Sequence, residues 1–190
     1  GKHAIIINAS YFHTIGTGNI ITANDEMGIF VNGDVVESIV TWKKQSVPVI
    51  INSEVDIEST VTIEAGSEFR FGGEGYIRVG YNGTAQLNAI GTATVPIIFT
   101  AWSTTPAAGV WGGLIFDTYT SSNTTLEYCE IRYAGRGSNA DRAAIYLEDV
   151  SGMTIKNSKI TNSNGWGIFL SNSTLSAGST SNTFTNCILG

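Results

Sequence analysis

Three sets of side chains have the types and the spacing to do chemistry. The first is a column. A seven-residue phrase occurs three times: Val110-Trp111-Gly112-Gly113-Leu114-Ile115-Phe116, Asp141-Arg142-Ala143-Ala144-Ile145-Tyr146-Leu147 and Asn164-Gly165-Trp166-Gly167-Ile168-Phe169-Leu170. Superposed, they bring Ile115, Tyr146 and Phe169 to one position, and Arg78 joins them through a match of Ile77 with Leu114. If Leu114, Phe116 and their counterparts point into a core, strand alternation turns this column outward. Asp117, Glu148 and Ser171 follow two residues on. Aromatic faces with a few placed carboxylates suit sugar rings and their hydroxyls. Solvated strand faces also tolerate aromatics through propensity alone.

The second set is charged: Glu127, Glu130, Arg132, Lys156 and Lys159. Matching Leu126 with Ile155 and Ile131 with Ile160 puts Glu127 beside Lys156, and Glu130 beside Lys159, on neighbouring strands. Such pairs are first of all ladder ion pairs, worth about 0.2–1 kcal/mol. The catalytic alternative casts Lys156, Lys159 and Arg132 as charge neutraliser and base of a lyase, which needs burial in a cleft. The third set sits in two long spacers, Ala101 to Gly109 and Arg136 to Arg142, carrying Trp102 and Arg142. Both interrupt the same turn of consecutive repeats, so they are expected to stack into a wall along one edge. The candidate ligand contacts are therefore Tyr146, Phe169, Ile115, Trp102, Arg142 and Glu148.

The elements that must position these residues follow from the repeat. Leu114 and Ile145 are 31 residues apart, and Ile145 and Ile168 are 23. Val61/Ile63, Phe69/Phe71 and Ile77/Val79 alternate on short strands about eight residues apart, separated by Gly-rich turns. Three strands followed by three more predict a coil with three faces. The second coil is matched as Ile63 with Leu87, Phe69 with Ile97 and Ile77 with Leu114; a fifth begins at Phe184, 24 residues after Ile160. The expected core columns are Leu114–Ile145–Ile168 and Phe116–Leu147–Leu170. Asn162 and Asn186 fall at one turn of successive coils, where asparagine tolerates a left-handed backbone.

Residues 1–40 read as a preceding coil of the same solenoid, with β phrases at Ala4 to Ile7, Gly18 to Thr22 and Gly28 to Val31. Trp42 to Pro48 interrupts the pattern, and residues 41–190 carry the repeats of what reads as one domain. Neither end shows a cap, as expected of one segment of a longer solenoid.

Composition narrows the function classes. The chain of 190 residues carries 16 acidic and 10 basic side chains, an imbalance that argues against a nucleic-acid backbone or an anionic membrane as partner. No apolar run approaches the ~20 residues of a spanning helix. Cys129 and Cys187 are too few for a disulfide-rich scaffold or a four-thiolate zinc site; buried free thiols are expected, with a disulfide as the alternative. The only histidines, His3 and His13, lie in the N-terminal segment, which excludes a His-based triad on the repeats.

Val61-Thr62-Ile63-Glu64-Ala65-Gly66, Pro96-Ile97-Ile98-Phe99-Thr100, Trp111 to Phe116 and Leu126 to Gly135, in that order, resemble a recurrent module of the right-handed parallel β-helix (pectate-lyase-like) superfamily. The resemblance spans residues 41–188 and is nearest to bacterial secreted or surface β-helix repeat proteins. It implies an all-β, right-handed, single-stranded parallel β-helix with three short strands per coil. That fold hosts lyases, hydrolases, esterases, adhesins and phage tailspikes, so it does not name an activity. A pectate lyase would have clustered acidic Ca²⁺ ligands and an Arg base; Glu54, Asp56 and Glu58 share a strand face, but no Arg aligns with them on that pattern. The hydrolases use a close set of Asp residues, whereas Asp34, Asp56, Asp117, Asp141 and Asp149 are scattered.

The expectation is a non-catalytic secreted or cell-surface module, carbohydrate-binding or structural and adhesive, without a cofactor; Ca²⁺ is the one ion the resemblance would admit. Its partner would be a polysaccharide or surface glycan, with no nucleic acid and no membrane insertion. The alternatives are a polysaccharide-degrading enzyme, lyase before hydrolase, and a trimeric adhesin or tailspike-like stalk self-associating through the outward aromatic column.

Overall fold

The computed structural model describes residues 3–22, 24 and 26–189. Short strands alternate inward and outward residues, as in Thr60–Ile63, Glu68–Phe71 and Tyr76–Val79, where every second side chain is buried. Each of six complete coils contributes one strand to each of three sheets, and two further strands extend one sheet at its ends. The first sheet contains Val40–Trp42, Thr60–Ile63, Gln86–Ile90, Thr125–Glu127, Ser151–Lys156 and Thr174–Leu175. The second runs from His3–Asn8 through Glu26–Asn32, Val49–Ile51, Glu68–Phe71, Ile97–Ala101, Cys129–Arg132 and Lys159–Thr161 to Thr183–Thr185. The third holds Val35–Val36, Glu54–Ile57, Tyr76–Val79, Leu114–Phe116, Ala143–Glu148 and Trp166–Ser171. All pairings between these strands are parallel, so the chain is a parallel β-helix with three strands per coil.

The thrice-repeated phrase stacks in the expected register: Leu114 on Ile145 and Ile145 on Ile168, with Ile115, Tyr146 and Phe169 between them. Ile77 pairs with Leu114, Leu126 with Ile155 and Ile160 with Phe184. Two matches are off by two residues. Ile63 pairs with Ala89 while Leu87 sits beside Val61, and Phe69 pairs with Phe99 rather than Ile97. A slip of two preserves the inward sense of every side chain, so hydrophobic alternation cannot detect it. Hydrogen bonds from neighbouring coils and ring packing set the register instead; Phe69 and Phe99 stack with centroids 5.6 Å apart.

The N-terminal segment departs further from expectation. Gly18 to Thr22 forms no strand, and Ile20 is exposed. A 3-10 turn, Ala9–Thr14, occupies that coil instead. Its buried Ala9 and Phe12 pack toward Val35–Val36 and Val40–Trp42, and the Phe12 ring meets Trp42 edge-on at 5.7 Å. This turn covers the inner ends of Val35–Val36 and Val40–Trp42. Trp42 is no interruption either: it ends a strand, is fully buried and pairs with Ile63.

The opposite end is open. Leu170 continues the Phe116–Leu147 column in register but is 42% exposed, because no described coil lies beyond it. Ile168 is half-buried for the same reason, so the two expected core columns are fully dry only as far as Ile145 and Leu147. Both cysteines are free thiols; Cys129 is buried as expected, and Cys187 only half-buried. Burial pushes the Cys129 thiol up to about 12.

At the turn after the second sheet, Asn162 and Asn186 adopt φ of 56° and 55°, and the Asn186 amide donates to Asn162 Oδ1 at 3.1 Å. Asn162→Val removes this bond and forces a β-branched side chain into the left-handed region. Its expected cost is about 2 kcal/mol in urea unfolding, whereas Asn162→Gly should cost about half of that.

Candidate functional site

The outward face of the third sheet carries the site. Parallel register places Asp56, Arg78, Ile115, Tyr146 and Phe169 in one row across five coils. The Tyr146 and Phe169 rings stack with centroids 5.7 Å apart and planes 7° from parallel. Glu148 lies beside Ser171 in the next row, and Asp117 precedes it one coil earlier.

The spacer Arg136 to Arg142 borders a partly open cavity of about 330 Å³ on this face. Its lining includes Arg78, Ile115, Asp117, Asp141, Arg142, Tyr146 and Glu148. The spacer is tied down at several points. Arg142 donates from Nε to the Asn164 carbonyl at 2.5 Å and from Nη1 to the Asn139 carbonyl at 2.6 Å. Trp166 Nε1 donates to the Ala140 carbonyl at 2.9 Å, and Arg136 pairs with Glu74 at 2.6 Å and donates to the Gly73 carbonyl. Gly165 is required beneath it: a Cβ there would overlap the Arg142 carbonyl, which accepts from the Trp166 N–H at 2.9 Å.

Arg78 is the electrostatic hub that the sequence does not advertise. Its Nη1 lies 3.1 Å from Glu54 Oε1, its Nε 3.2 Å from Asp117 Oδ2, and its guanidinium carbon 4.4 Å from the Tyr81 ring centroid. Glu54 pairs in register with Tyr76 and Asp56 with Arg78, so the acidic strand does face an arginine. The signal for this is the interval of 22 residues from Asp56 to Arg78, one coil, which a match of apolar residues alone passes over. Asp117 is nearly buried, and its Oδ2 makes no hydrogen bond of good geometry despite the short approach to Arg78. Burial raises the Asp117 carboxyl above the usual carboxylate range against the pull of Arg78, and Glu148 adds to the rise. Tyr146 is likewise raised, first by burial.

Asp56 is pushed up to about 6, first by burial and then by the charge of Glu54. Below about pH 4 this side chain is protonated in both the folded and unfolded states. Between about pH 4 and 6 the unfolded chain ionises first, so the folded state loses stability across that window. The loss is on the order of 1 kcal/mol once solvent screening of this half-exposed group is allowed for. Asp56→Asn is expected to flatten this part of the pH–stability profile and to gain a similar amount at pH 7, as read by thermal melts.

The same acidic strand is a poor fit for Ca²⁺. Glu54 is paired with Arg78, and the Glu58 carboxylate accepts from the backbone N–H groups of Tyr81 at 3.2 Å, Asn82 at 3.0 Å and also Gly83. Among the described residues, no group of three His, Cys, Asp or Glu side chains is arranged to hold a metal ion.

Trp102 does not join the cavity. It continues the alternation of Ile97–Ala101 and turns out on the second sheet at the very start of the spacer. There its ring packs against Phe30 at 6.2 Å and His3 at 5.9 Å, beside a separate hollow with Arg70. The spacer Ala101 to Gly109 therefore does not double the wall. Its far end binds the next coil, where Gly109 and Val110 donate to the carbonyls of Ala134 and Tyr133 at 3.1 and 3.0 Å.

Lys156, Lys159 and Arg132 also lie elsewhere. Lys156 pairs with Glu127 at 3.0 Å on the first sheet; Lys159 pairs with Glu130 at 3.2 Å on the second, and Arg132 contacts the same Glu130. They are the ladder pairs expected from the register, and none lines the cavity. Of the candidate ligand contacts, Ile115, Arg142, Tyr146 and Glu148 come together, with Phe169 stacked behind Tyr146.

No helix among the described residues is long and apolar enough to cross a membrane. No curated protein and no solved structure matches the chain. One family profile does, the pectate-lyase-like β-helix domain, over residues 33–169. That match takes in every strand of the cavity floor and the spacer that borders it, and the chain belongs to the pectate-lyase-like β-helix domain family.

Proposed function

We propose that this β-helix is a secreted or surface-borne glycan-binding module without catalytic activity, and that the ligand lies across Tyr146. The observation that carries the reading is the Tyr146–Phe169 stack beside a cavity whose rim bears Asp117, Asp141 and Glu148. Flat apolar rings with a few convergent acceptors are the usual composition of small-ligand sites.

The charges favour a neutral glycan over a uronic-acid polymer. All three cavity arginines are engaged within the protein: Arg78 by Glu54 and Asp117, Arg136 by Glu74, and Arg142 by two backbone carbonyls. Asp141 and Glu148 make no ion pair among the described residues and are left to accept sugar hydroxyls. A lyase would need an uncommitted cation to neutralise its substrate carboxylate next to a base, and Lys156 and Lys159 are paired on other sheets.

A glycan array probed with the chain tests this. Binding to neutral glycans is expected, together with no ultraviolet-absorbing product from uronic-acid polymers. Product release that Lys156→Ala or Lys159→Ala abolishes would overturn the non-catalytic reading.

A further inference from the structure

Given that a glycan binds the third-sheet cavity, the charges around it narrow the ligand further. Arg78, Arg136 and Arg142 are the cations of its lining. Glu54 and Glu74 reach Arg78 and Arg136 from outside that lining, and the Arg142 N–H groups go to backbone carbonyls. Asp117, Asp141 and Glu148 stand on the lining itself, so carboxylates outnumber cations there.

Asp117 shows that the excess is not neutralised within the protein. It is only 8% exposed, yet its Oδ2 accepts no hydrogen bond, because the approach of Arg78 Nε at 3.2 Å falls short of hydrogen-bond geometry. Phe116 pairs with Leu147, so Glu148 adjoins Asp117 on the next coil. Burial first, and also the charge of Glu148, raises the Asp117 carboxyl. Tyr146 lies among these groups: beyond burial, the charges of Glu148, Asp141 and Asp117 all act to raise its hydroxyl. A sugar hydroxyl can donate to such carboxylates but leaves their charge in place. A cation offsets it, and is also drawn to the face of a tyrosine ring. Among the described residues no three acidic, His or Cys groups are placed to hold a metal ion, whereas an ammonium needs no such cage.

We propose that the site selects a glycan with a free amino group: an unacetylated amino sugar rests on Tyr146 and directs its ammonium to Asp117, Asp141 and Glu148. Neutral glycans share the ring contact and bind more weakly. This inference rests on the glycan reading of the cavity and adds the charge of the ligand to it.

Calorimetric titration at about pH 6.5, below the ~7.7 of a free α-amino group, tests the proposal with three probes of equal length. They are β-1,4-linked glucosamine oligomers, the same oligomers fully N-acetylated, and β-1,4-linked glucose oligomers. The parent chain should bind the free amine about 10-fold more tightly than either neutral probe, and added salt should shrink that preference. Asp141→Asn with Glu148→Gln keeps acceptor oxygens but removes both charges. It should erase the preference while leaving neutral binding near that of the parent. Glu37 follows Val36 as Asp117 follows Phe116, three coils earlier, and is exposed and outside the cavity. Glu37→Gln should therefore leave the preference intact. Equal affinity for all three probes overturns the amine and leaves the glycan site standing; binding of none overturns both. A preference that survives the double substitution, or falls equally with Glu37→Gln, overturns the proposal by tracing it to the net charge of the chain.

Discussion

Trp111→Ala is expected to lower the stability of the chain by about 4 kcal/mol. The side chain is fully buried, and its ring lies 4.1 Å from that of Phe71 with planes 10° from parallel. Its indole N–H donates to the Arg132 carbonyl at 2.8 Å, joining two coils. Deleting a large buried aromatic costs about 3–5 kcal/mol through lost burial and the cavity left behind. The orphaned Arg132 carbonyl and the lost ring stacking place this site in the upper half of that range. In a solenoid each coil leans chiefly on its neighbours, so the damage should centre on Leu114–Phe116 and reach Ile115 at the site. Urea unfolding measures the loss; Trp111→Phe should restore about half of it. A loss below about 2 kcal/mol would mean that the neighbouring rings collapse into the space.

Tyr146→Ala has the second large effect, on binding instead of folding. Tyr146 is half-buried and outward, so its removal should change stability by about 1 kcal/mol or less. Its ring stacks on Phe169 and lines the cavity, and a ligand resting there loses its platform with the ring gone. A nucleic-acid base stacked on an aromatic side chain is worth about 1–3 kcal/mol by alanine substitution; a sugar ring on Tyr146 at a comparable level would lose roughly 5- to 150-fold in affinity. Tyr146→Phe keeps the platform and should retain most of the binding. Lys156→Ala, on another sheet, should bind as the parent does.

Much of this architecture is legible in the amino-acid sequence, and the reasons are physical. A β-helix repeats one environment every coil, so residues that stack must be compatible, alike in the core and complementary where charged. That is why Leu114, Ile145 and Ile168 align, why Glu127 meets Lys156 and Glu130 meets Lys159, and why Asn162 meets Asn186. The same logic places Tyr146 beside Phe169 on the outside. It fails wherever the repeat is broken or ambiguous. Ala89 is small enough that Leu87 looks like the partner of Ile63, and a slip of two leaves no trace in the pattern. The Phe12 plug belongs to a single turn with no periodicity to reveal it. Trp102 opens a long spacer and so reads as part of the wall, whereas the strand before it sets its direction. Arg78 reads as a member of the outward row, but its grip on Glu54 and Asp117 depends on side-chain reach across strands, which spacing alone does not give.

The most direct test of a glycan site on the third sheet is to map where a ligand lands. Side-chain and backbone NMR shifts recorded while titrating the parent chain with a neutral oligosaccharide chosen from the array should move for Ile115, Arg142, Tyr146, Glu148 and Phe169, and stay still for Glu127, Lys156 and Lys159. Shifts centred on the Glu127–Lys156 and Glu130–Lys159 ladders, or around Trp102 and Arg70, would contradict the assignment of the site to this cavity.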